Sequence, residues 1–245
     1  MSLLGQILGS LESPVERRLF AEYGAVFLTK ATPPPVVIFN DREEVERFQA
    51  TLDVERALIG EHEIELQREA MKSLLAGRSE MESRGGAITA RAADAGRRSY
   101  DDTVALWTRN VTRGLEHWQQ EGMLTPERAE QIIGISPIDQ VGVILDMEES
   151  EHLYFGTYFD RSILYSVAAP GASQHLSLLA FDVAEFEDET VEQVLGNFGW
   201  FRTVVSDFPH FTYLGYRPEE LAGIGLKPVT RSYKDRDYIF RVPDL

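Results

Sequence analysis

The chain has 245 residues, of which 43 % are hydrophobic and 26 % are charged. A chain of this length and composition can bury a substantial core, which excludes wholesale disorder and a collagen-like fibre. It carries 24 Lys and Arg against 40 Asp and Glu, a formal net charge of −16. That charge repels nucleic acids and anionic membrane surfaces, and no apolar run reaches the roughly 20 residues that span a bilayer.

The chain contains no cysteine, which excludes disulfides, thiolate metal sites and a cysteine nucleophile. Because a core of this size needs no disulfides in any compartment, this absence leaves the location open. The first ten residues are apolar in places but lack the basic segment that opens a secretion signal. Two locations are therefore expected: the periplasm or extracellular medium if a signal peptide has been removed, and the cytoplasm otherwise.

The first half of the chain predicts helices with two short strands among them. Apolar runs predict the strands at residues 25–28 and 36–39. Apolar residues at helical spacing, combined with capping residues, predict helices that begin near Pro14, Asp41, Glu61, Ser99 and Thr125. Gly77 and Gly122 are expected to end the third and fourth of these helices.

Strand-like runs dominate the chain beyond residue 150. They cover residues 153–159, 163–167, 178–183, 201–205, 211–214 and 238–242, and one helix at 189–197 interrupts them. Since few crossover helices separate these runs, we expect antiparallel pairing. The order of elements predicts an α+β fold, with a mainly antiparallel sheet from the second half packed against helices from the first half.

Two of the five histidines, His175 and His210, stand in segments that are otherwise apolar and poor in charge. Asp182 lies in the strand-like run between them, where burying a carboxylate costs several kcal/mol unless a cation or hydrogen bonds compensate. Two imidazoles and one carboxylate match the ligand count of a catalytic zinc site, and a free carboxylate beside its water would be the general base. From the residues alone, the alternative of core histidines and a carboxylate hydrogen-bonded to a turn stays open.

The segment Ser173-Gln-His175-Leu-Ser-Leu-Leu-Ala180-Phe-Asp182 resembles the Ser-x-His-x-x-Gly-x-Ala-x-Asp signature of VanY-type D-alanyl-D-alanine carboxypeptidases. These are zinc enzymes that share a fold with the VanX dipeptidases. The preceding Ala-Pro-Gly at 169–171 is similar to the family's Pro-Pro-Gly lead-in.

Two further segments carry the resemblance, in the order the family has them. Gly96-Arg-Arg98-Ser-Tyr100 is similar to the family's Ser-Gly-Tyr-Arg-Ser, and Asp207-Phe-Pro-His210 corresponds to its Glu-x-x-His. The resemblance covers roughly residues 87–216. We therefore expect an N-terminal extension over 1–86 without a family match, and a peptidase domain over 87–245 packed with it as one compact unit.

The resemblance implies a role for each matching residue. The ligands of one zinc ion per chain would be His175, Asp182 and His210. Asp207 would be the general base, and Arg98 would hold the substrate carbonyl and stabilise the oxyanion. Ser173 would help to hold the terminal carboxylate of the peptide. Two positions depart from the family: Leu178 stands where it has Gly, and Asp207 stands where it has the longer Glu.

The implied function is a zinc-dependent D,D-peptidase that hydrolyses D-Ala-D-Ala-type bonds of peptidoglycan stem peptides. A second hypothesis is a metal-containing protein that binds cell-wall peptides with weak or no catalysis, because the base is shortened. A third, outside the family, is a cytoplasmic α+β protein whose histidines are structural. Metal content separates the third hypothesis from the other two, and turnover of a D-Ala-D-Ala peptide separates the first from the second.

Overall fold

The structure is a computed structural model that describes residues 3–245. The α+β class predicted from the sequence is confirmed. Its helices are α1 (Leu3–Ser10), α2 (Pro14–Tyr23), α3 (Arg42–Gln49), α4 (Arg68–Ser83), α5 (Tyr100–Gln120), α6 (Pro126–Gly134), α7 (Pro137–Ser150) and α8 (Glu189–Asn197). Within the described residues, no helix is both long enough and apolar enough to cross a membrane.

The strands form three small sheets, and every pairing in them is antiparallel. The strands are β1 (Val54–Ile59), β2 (His62–Gln67), β3 (Ala180–Asp182), β4 (Trp200–Phe201), β5 (His210–Tyr213), β6 (Leu226–Tyr233) and β7 (Arg236–Pro243). β1 pairs with β2 and β6 pairs with β7, while the three-stranded sheet has the order β3-β5-β4. This three-stranded sheet comes entirely from the second half of the chain, as expected.

The chain divides into two units. The first comprises residues up to 37, residues 46–98 and residues 174–245, and the second comprises residues 38–45 and 99–173. All seven strands found in residues 3–245 belong to the first unit. Its largest buried cluster joins α4, α8, β2 and the three-stranded sheet through Leu66, Met71, Leu74, Val194, Phe181 and Trp200.

The second unit is helical. α5 packs against α6 and α7, and the buried Trp107 donates a hydrogen bond from Nε1 to Gln140 Oε1 at 3.2 Å. Ser99 caps α5 in a capping box with Asp102, and Thr125 caps α6. These two helix starts are where the sequence predicts them, because a hydroxyl that accepts from the first turn is a local signal.

The helix predicted over residues 61–75 is wrong in its first half. His62–Gln67 is strand β2, and helix α4 begins only at Arg68. The sequence from 62 to 67 alternates, and burial of Ile64 and Leu66 on a hairpin face outweighs the helical spacing of Leu66 with later residues. Gly77 does not end α4, because it is buried inside the helix, where an added Cβ would lie 3.4 Å from the Phe198 ring.

Four predicted strands are absent from the described residues. Residues 25–28 belong to a 3₁₀ turn, Gly24–Leu28, and residues 36–39 form bends. Residues 153–159 form loop and turn, and 163–167 contain a 3₁₀ turn, Ile163–Tyr165. In the last two segments the backbone N–H groups of Phe155 and Ile163 donate to Glu148 Oε1, at 2.9 and 2.7 Å, instead of to a strand. The buried Glu148 carboxylate therefore accepts the backbone hydrogen bonds that a neighbouring strand would otherwise accept.

Leu178 adopts a left-handed backbone conformation, with φ of 58°. It is the position at which the VanY-type signature has Gly, and it follows directly on the 3₁₀ turn Gln174–Ser177. Left-handed backbone costs a residue with a Cβ roughly 1–2 kcal/mol. The side chain is 1 % exposed, so burial of an apolar group offsets the backbone cost. The chain thus has, at this position, a backbone that glycine adopts without strain, together with a side chain that packs in the core.

We predict that Leu178→Gly is at least as stable as Leu178→Ala. Both variants lose the buried side chain, at about 2–5 kcal/mol, but only the glycine variant relieves the left-handed strain. Urea denaturation measures the difference in the free energy of unfolding. A glycine variant less stable than the alanine variant by about 1 kcal/mol, the usual order at ordinary positions, would contradict the left-handed assignment.

Candidate metal centre

The pairing of β3 with β5 places an aspartate opposite a histidine. In this register Asp182 is the direct partner of His210, and their side chains lie on the same face with Asp182 Oδ1 3.1 Å from His210 Nδ1. The other edge of β3 is covered by the segment 90–96, because Asp182 N donates to Ala95 O at 2.9 Å and Arg91 N donates to Asp182 O at 3.0 Å. The backbone on both sides therefore fixes the position of the carboxylate.

His175 reaches the same point from the 3₁₀ turn Gln174–Ser177. Its Nε2 lies 3.3 Å from Asp182 Oδ1, and its ring centroid lies 4.9 Å from that of His210. One ligand atom from each of the three residues lies within 4.8 Å of the others. All three side chains are buried. The structure thus brings together the three residues predicted as zinc ligands.

Each histidine ring hydrogen-bonds outside the cluster through one nitrogen, which leaves a lone pair on the nitrogen that faces Asp182. His175 Nδ1 lies 2.7 Å from the carbonyl oxygen of Gly96. A carbonyl only accepts, so Nδ1 carries the proton of a neutral His175 and Nε2 carries the lone pair. His210 Nε2 lies 2.8 Å from Gln174 Oε1, which leaves Nδ1 to face Asp182.

The donor set fits a zinc ion. Bare His175 Nε2 and His210 Nδ1 both face Asp182 Oδ1, and three acceptors in contact repel one another unless a cation lies among them. His175 Nε2 is buried and has no hydrogen-bond partner, which is costly in the absence of such a cation. Two imidazole nitrogens and one carboxylate oxygen are the ligand types of catalytic zinc sites.

The electrostatics of the cluster favour the protonation states that a metal needs. Burial disfavours the ionised form of Asp182, and the ion pair of its Oδ2 with the Arg98 guanidinium offsets this cost and favours the carboxylate. Burial lowers the pKa of His175, which keeps the ring neutral, and Asp182 opposes this shift only in part. An ionised carboxylate beside a neutral imidazole is the form that coordinates a divalent metal.

Arg98 is bound to the carboxylate of the cluster. Its Nη2 donates to Asp182 Oδ2 at 2.9 Å, and its Nε lies 3.4 Å from Asp94 Oδ2. The alternative partners in the sequence, Asp101 and Asp102, make their hydrogen bonds elsewhere, within the second unit. Arg98 therefore neutralises the aspartate from the side away from the histidines. Its contact with a substrate carbonyl stays a prediction.

Asp207 lies in the connection between β4 and β5, three residues before His210. Its N–H donates to Val204 O at 3.0 Å, and its own carbonyl accepts from His210 N at 3.3 Å, so a tight turn leads into β5. Burial raises the pKa of Asp207, and the charge of Asp182 adds to this rise, while His210 opposes it. A carboxylate with a raised pKa is suited to exchange protons near neutral pH.

Ser173 and Gln174 open the signature segment, and the sequence predicted a role for Ser173 alone. Ser173 is buried and is the last residue of the second unit. Its contact with the terminal carboxylate of a peptide stays a prediction. Gln174 was missed, although its amide lies within hydrogen-bond distance of His210. The available signal was its place in an apolar segment, since a buried amide needs partners for both of its polar atoms.

Comparisons with solved structures give weak similarities. No protein-family model and no curated protein matches the chain. The LdcB LD-carboxypeptidase, whose structure was reported for peptidoglycan recognition, is 16 % identical with a TM-score of 0.36, over 62 % of this chain and 60 % of LdcB. The D,D-pentapeptidase VanY of a VanB-type resistance cassette, solved with Zn(II), is 15 % identical with a TM-score of 0.36, over 68 % of this chain and 82 % of VanY. The chain thus spans less than two thirds of LdcB, and its function is inferred from its own site residues.

We predict that Asp182→Ala destabilises the metal-free protein at pH 7 by about 3 kcal/mol, because it leaves Arg98 without its buried partner. A carboxylate whose pKa is lowered by folding stabilises the protein above its unfolded pKa, and this contribution is lost as pH falls. The difference from wild type should therefore hold from pH 7 to about 5 and shrink below about 4. Chemical denaturation at each pH measures it.

Asp160→Ala is the control for this series. It removes an exposed carboxylate that is paired with Arg161, and it should leave the free energy of unfolding almost unchanged. A difference between Asp182→Ala and wild type that is the same at pH 3 and pH 7 would show that Asp182 is not held ionised by its neighbours.

Proposed function

We propose that the chain is a zinc-dependent peptidase that hydrolyses D-Ala-D-Ala-type bonds of peptidoglycan stem peptides. The observation that carries the proposal is the convergence of the lone pairs of His175, Asp182 and His210 in one buried cluster. These residues match the ligand positions of the VanY-type signature that the sequence resembles. Since such substrates lie outside the cytoplasm, the periplasm or extracellular medium is the location we expect.

In this proposal the first task of the chain is to hold the metal in a fixed geometry. Bound Zn²⁺ supplies a Lewis acid that activates water and polarises a peptide carbonyl. His175 and His210 are oriented by the acceptors on their outer nitrogens. Arg98 holds Asp182 by its second oxygen, so that the first oxygen faces the histidines.

The second task is proton transfer, and we assign it to Asp207. As a base it takes a proton from the attacking water, and as an acid it delivers that proton to the amine that leaves. A pKa raised by burial suits both directions. Arg98 donates one hydrogen bond to Asp182, whereas a guanidinium has five N–H donors. Its Nε faces Asp94, and the donors left on the terminal nitrogens would stabilise the negative charge that develops on the scissile carbonyl oxygen.

One observation favours a second candidate function. Asp207 is one methylene shorter than the glutamate of the family signature, and general-base catalysis requires the base within hydrogen-bond reach of the proton. A chain with a complete metal site and a base that falls short would bind cell-wall peptides without cleaving them. Turnover by the zinc-loaded protein distinguishes the two functions.

We predict one zinc ion per chain in protein purified without added metal, as measured by elemental analysis. His175→Ala removes a ligand and should lose the zinc. His117→Ala is the control, because His117 stacks on Phe159 within the second unit and should keep the full zinc content. A wild-type protein that is folded and metal-free, and that takes up no zinc on addition, would contradict the proposed metal centre.

We predict that Asp207→Asn keeps the zinc and loses about 10²- to 10⁴-fold in kcat, because the amide cannot accept the proton. The substrate is a peptide that ends in D-Ala-D-Ala, with the all-L isomer as control. Loss of zinc in this variant would instead make Asp207 a ligand. A zinc-loaded wild type that binds the peptide and turns over neither isomer would favour the binding protein.

A further inference from the structure

A buried amide connects His210 to the N-terminal segment of the chain. Gln174 is 3 % exposed. Its Nε2 donates to the carbonyl oxygen of Tyr23 at 2.8 Å, and its Oε1 lies 2.8 Å from His210 Nε2. Tyr23 is the last residue of α2, where the carbonyls of the final turn project beyond the helix.

The partners of Gln174 determine which way its amide points. The Tyr23 carbonyl can only accept, so the NH₂ group of the amide must face it. The oxygen then faces the hydroxyls of Thr203 and Thr212. These two hydroxyl oxygens also lie 2.7 Å apart, so one hydroxyl donates to the other and the remaining proton is donated to the amide oxygen. All of these side chains are buried, so no solvent competes for the bonds.

The same logic fixes the proton on His210. An amide oxygen only accepts, so the ring nitrogen that faces it, Nε2, must carry a proton. A neutral imidazole has one N–H, and its lone pair is then on Nδ1, the atom that faces Asp182. With the opposite tautomer, the Nε2 lone pair would oppose the oxygen of Gln174, and Nδ1 could bind no metal.

We infer that Gln174 is a positioning residue, which holds His210 in the Nε2–H tautomer and so presents Nδ1 to the metal. The metal part of this inference rests on the proposed function. The family signature leaves position 174 open, as the x in Ser-x-His, so the resemblance assigns it no role. Through the Tyr23 carbonyl, residues that have no family match orient a ligand of the metal centre.

The test measures zinc affinity and the tautomer separately. Gln174→Met keeps the length of the side chain and removes the acceptor, and Gln174→Glu keeps an acceptor oxygen, whether ionised or protonated. Gln140→Met is the matched control, because Gln140 is equally buried, accepts from a ring N–H of Trp107 at 3.2 Å and donates to Ile132 O at 3.0 Å. It belongs to the second unit, whereas the cluster's histidines belong to the first.

Competition with a chelator should show that Gln174→Met lowers zinc affinity by about 10- to 100-fold, the usual effect of losing the partner of a ligand histidine. Gln174→Glu should recover most of this loss, and Gln140→Met should match wild type. Equal affinities for Gln174→Met and Gln140→Met would overturn the inference, as would a glutamate variant no better than the methionine variant.

The tautomer is read in metal-free wild-type protein from two-bond ¹H–¹⁵N correlations, at about pH 8, above the ordinary pKa of histidine. The expected result is a proton on His210 Nε2, and a proton on Nδ1 overturns the inference. This measurement needs no variant, so it tests the inferred His210 tautomer even if Gln174→Met does not fold. If wild type binds no zinc, the proposed function fails, and the tautomer still shows whether Gln174 orients the ring.

Discussion

The candidate metal centre depends on one cross-strand pair, Asp182 opposite His210. Antiparallel register puts directly opposed side chains on the same face of the sheet with their Cβ atoms close together. A slip of one residue would turn Asp182 to the other face, into the apolar cluster that holds Phe181 and Trp200. Burial of Phe181 on that face therefore fixes the register, and the register in turn fixes the distance between two ligands.

The same pair places a carboxylate in a buried position, which is electrostatically unfavourable. A carboxylate that is nearly removed from water needs compensation. Arg98 supplies a full positive charge on one oxygen of Asp182, while the other oxygen faces two neutral imidazoles through their lone pairs. The arrangement is thus balanced on the arginine side and deficient in positive charge on the histidine side. A divalent cation on the histidine side would complete the balance.

The sequence singled out three residues that the structure brings together, but it predicted the elements that carry them less well. Helix starts at Ser99 and Thr125 and the helix at Glu189–Asn197 were predictable because capping and spacing are local signals. Strand β2 could not be predicted, because Leu66 fits both a helical and an alternating pattern. Pairing with β1 determines that the segment is a strand. The link from Tyr23 to Gln174 spans 151 positions of sequence, and no local pattern encodes such a contact.

The turn that carries His175 shows why the first 86 residues matter to the site. Buried glutamines from that segment satisfy its carbonyls: Gln49 Nε2 donates to Leu176 O at 3.0 Å, and Gln67 Nε2 donates to Ser177 O at 2.8 Å. The backbone N–H of Gln67 donates to Leu178 O at 3.0 Å, at the residue with left-handed backbone. Buried carbonyls left without donors are costly. A chain without residues 1–86 would therefore leave the carbonyls of residues 176–178 without these donors. The strained conformation of Leu178 persists because hydrogen bonds from β2 and α3 determine the backbone around it. Residues 46–86 and the three candidate ligands lie in the same unit, and the position of His175 depends on hydrogen bonds from Gln49 and Gln67.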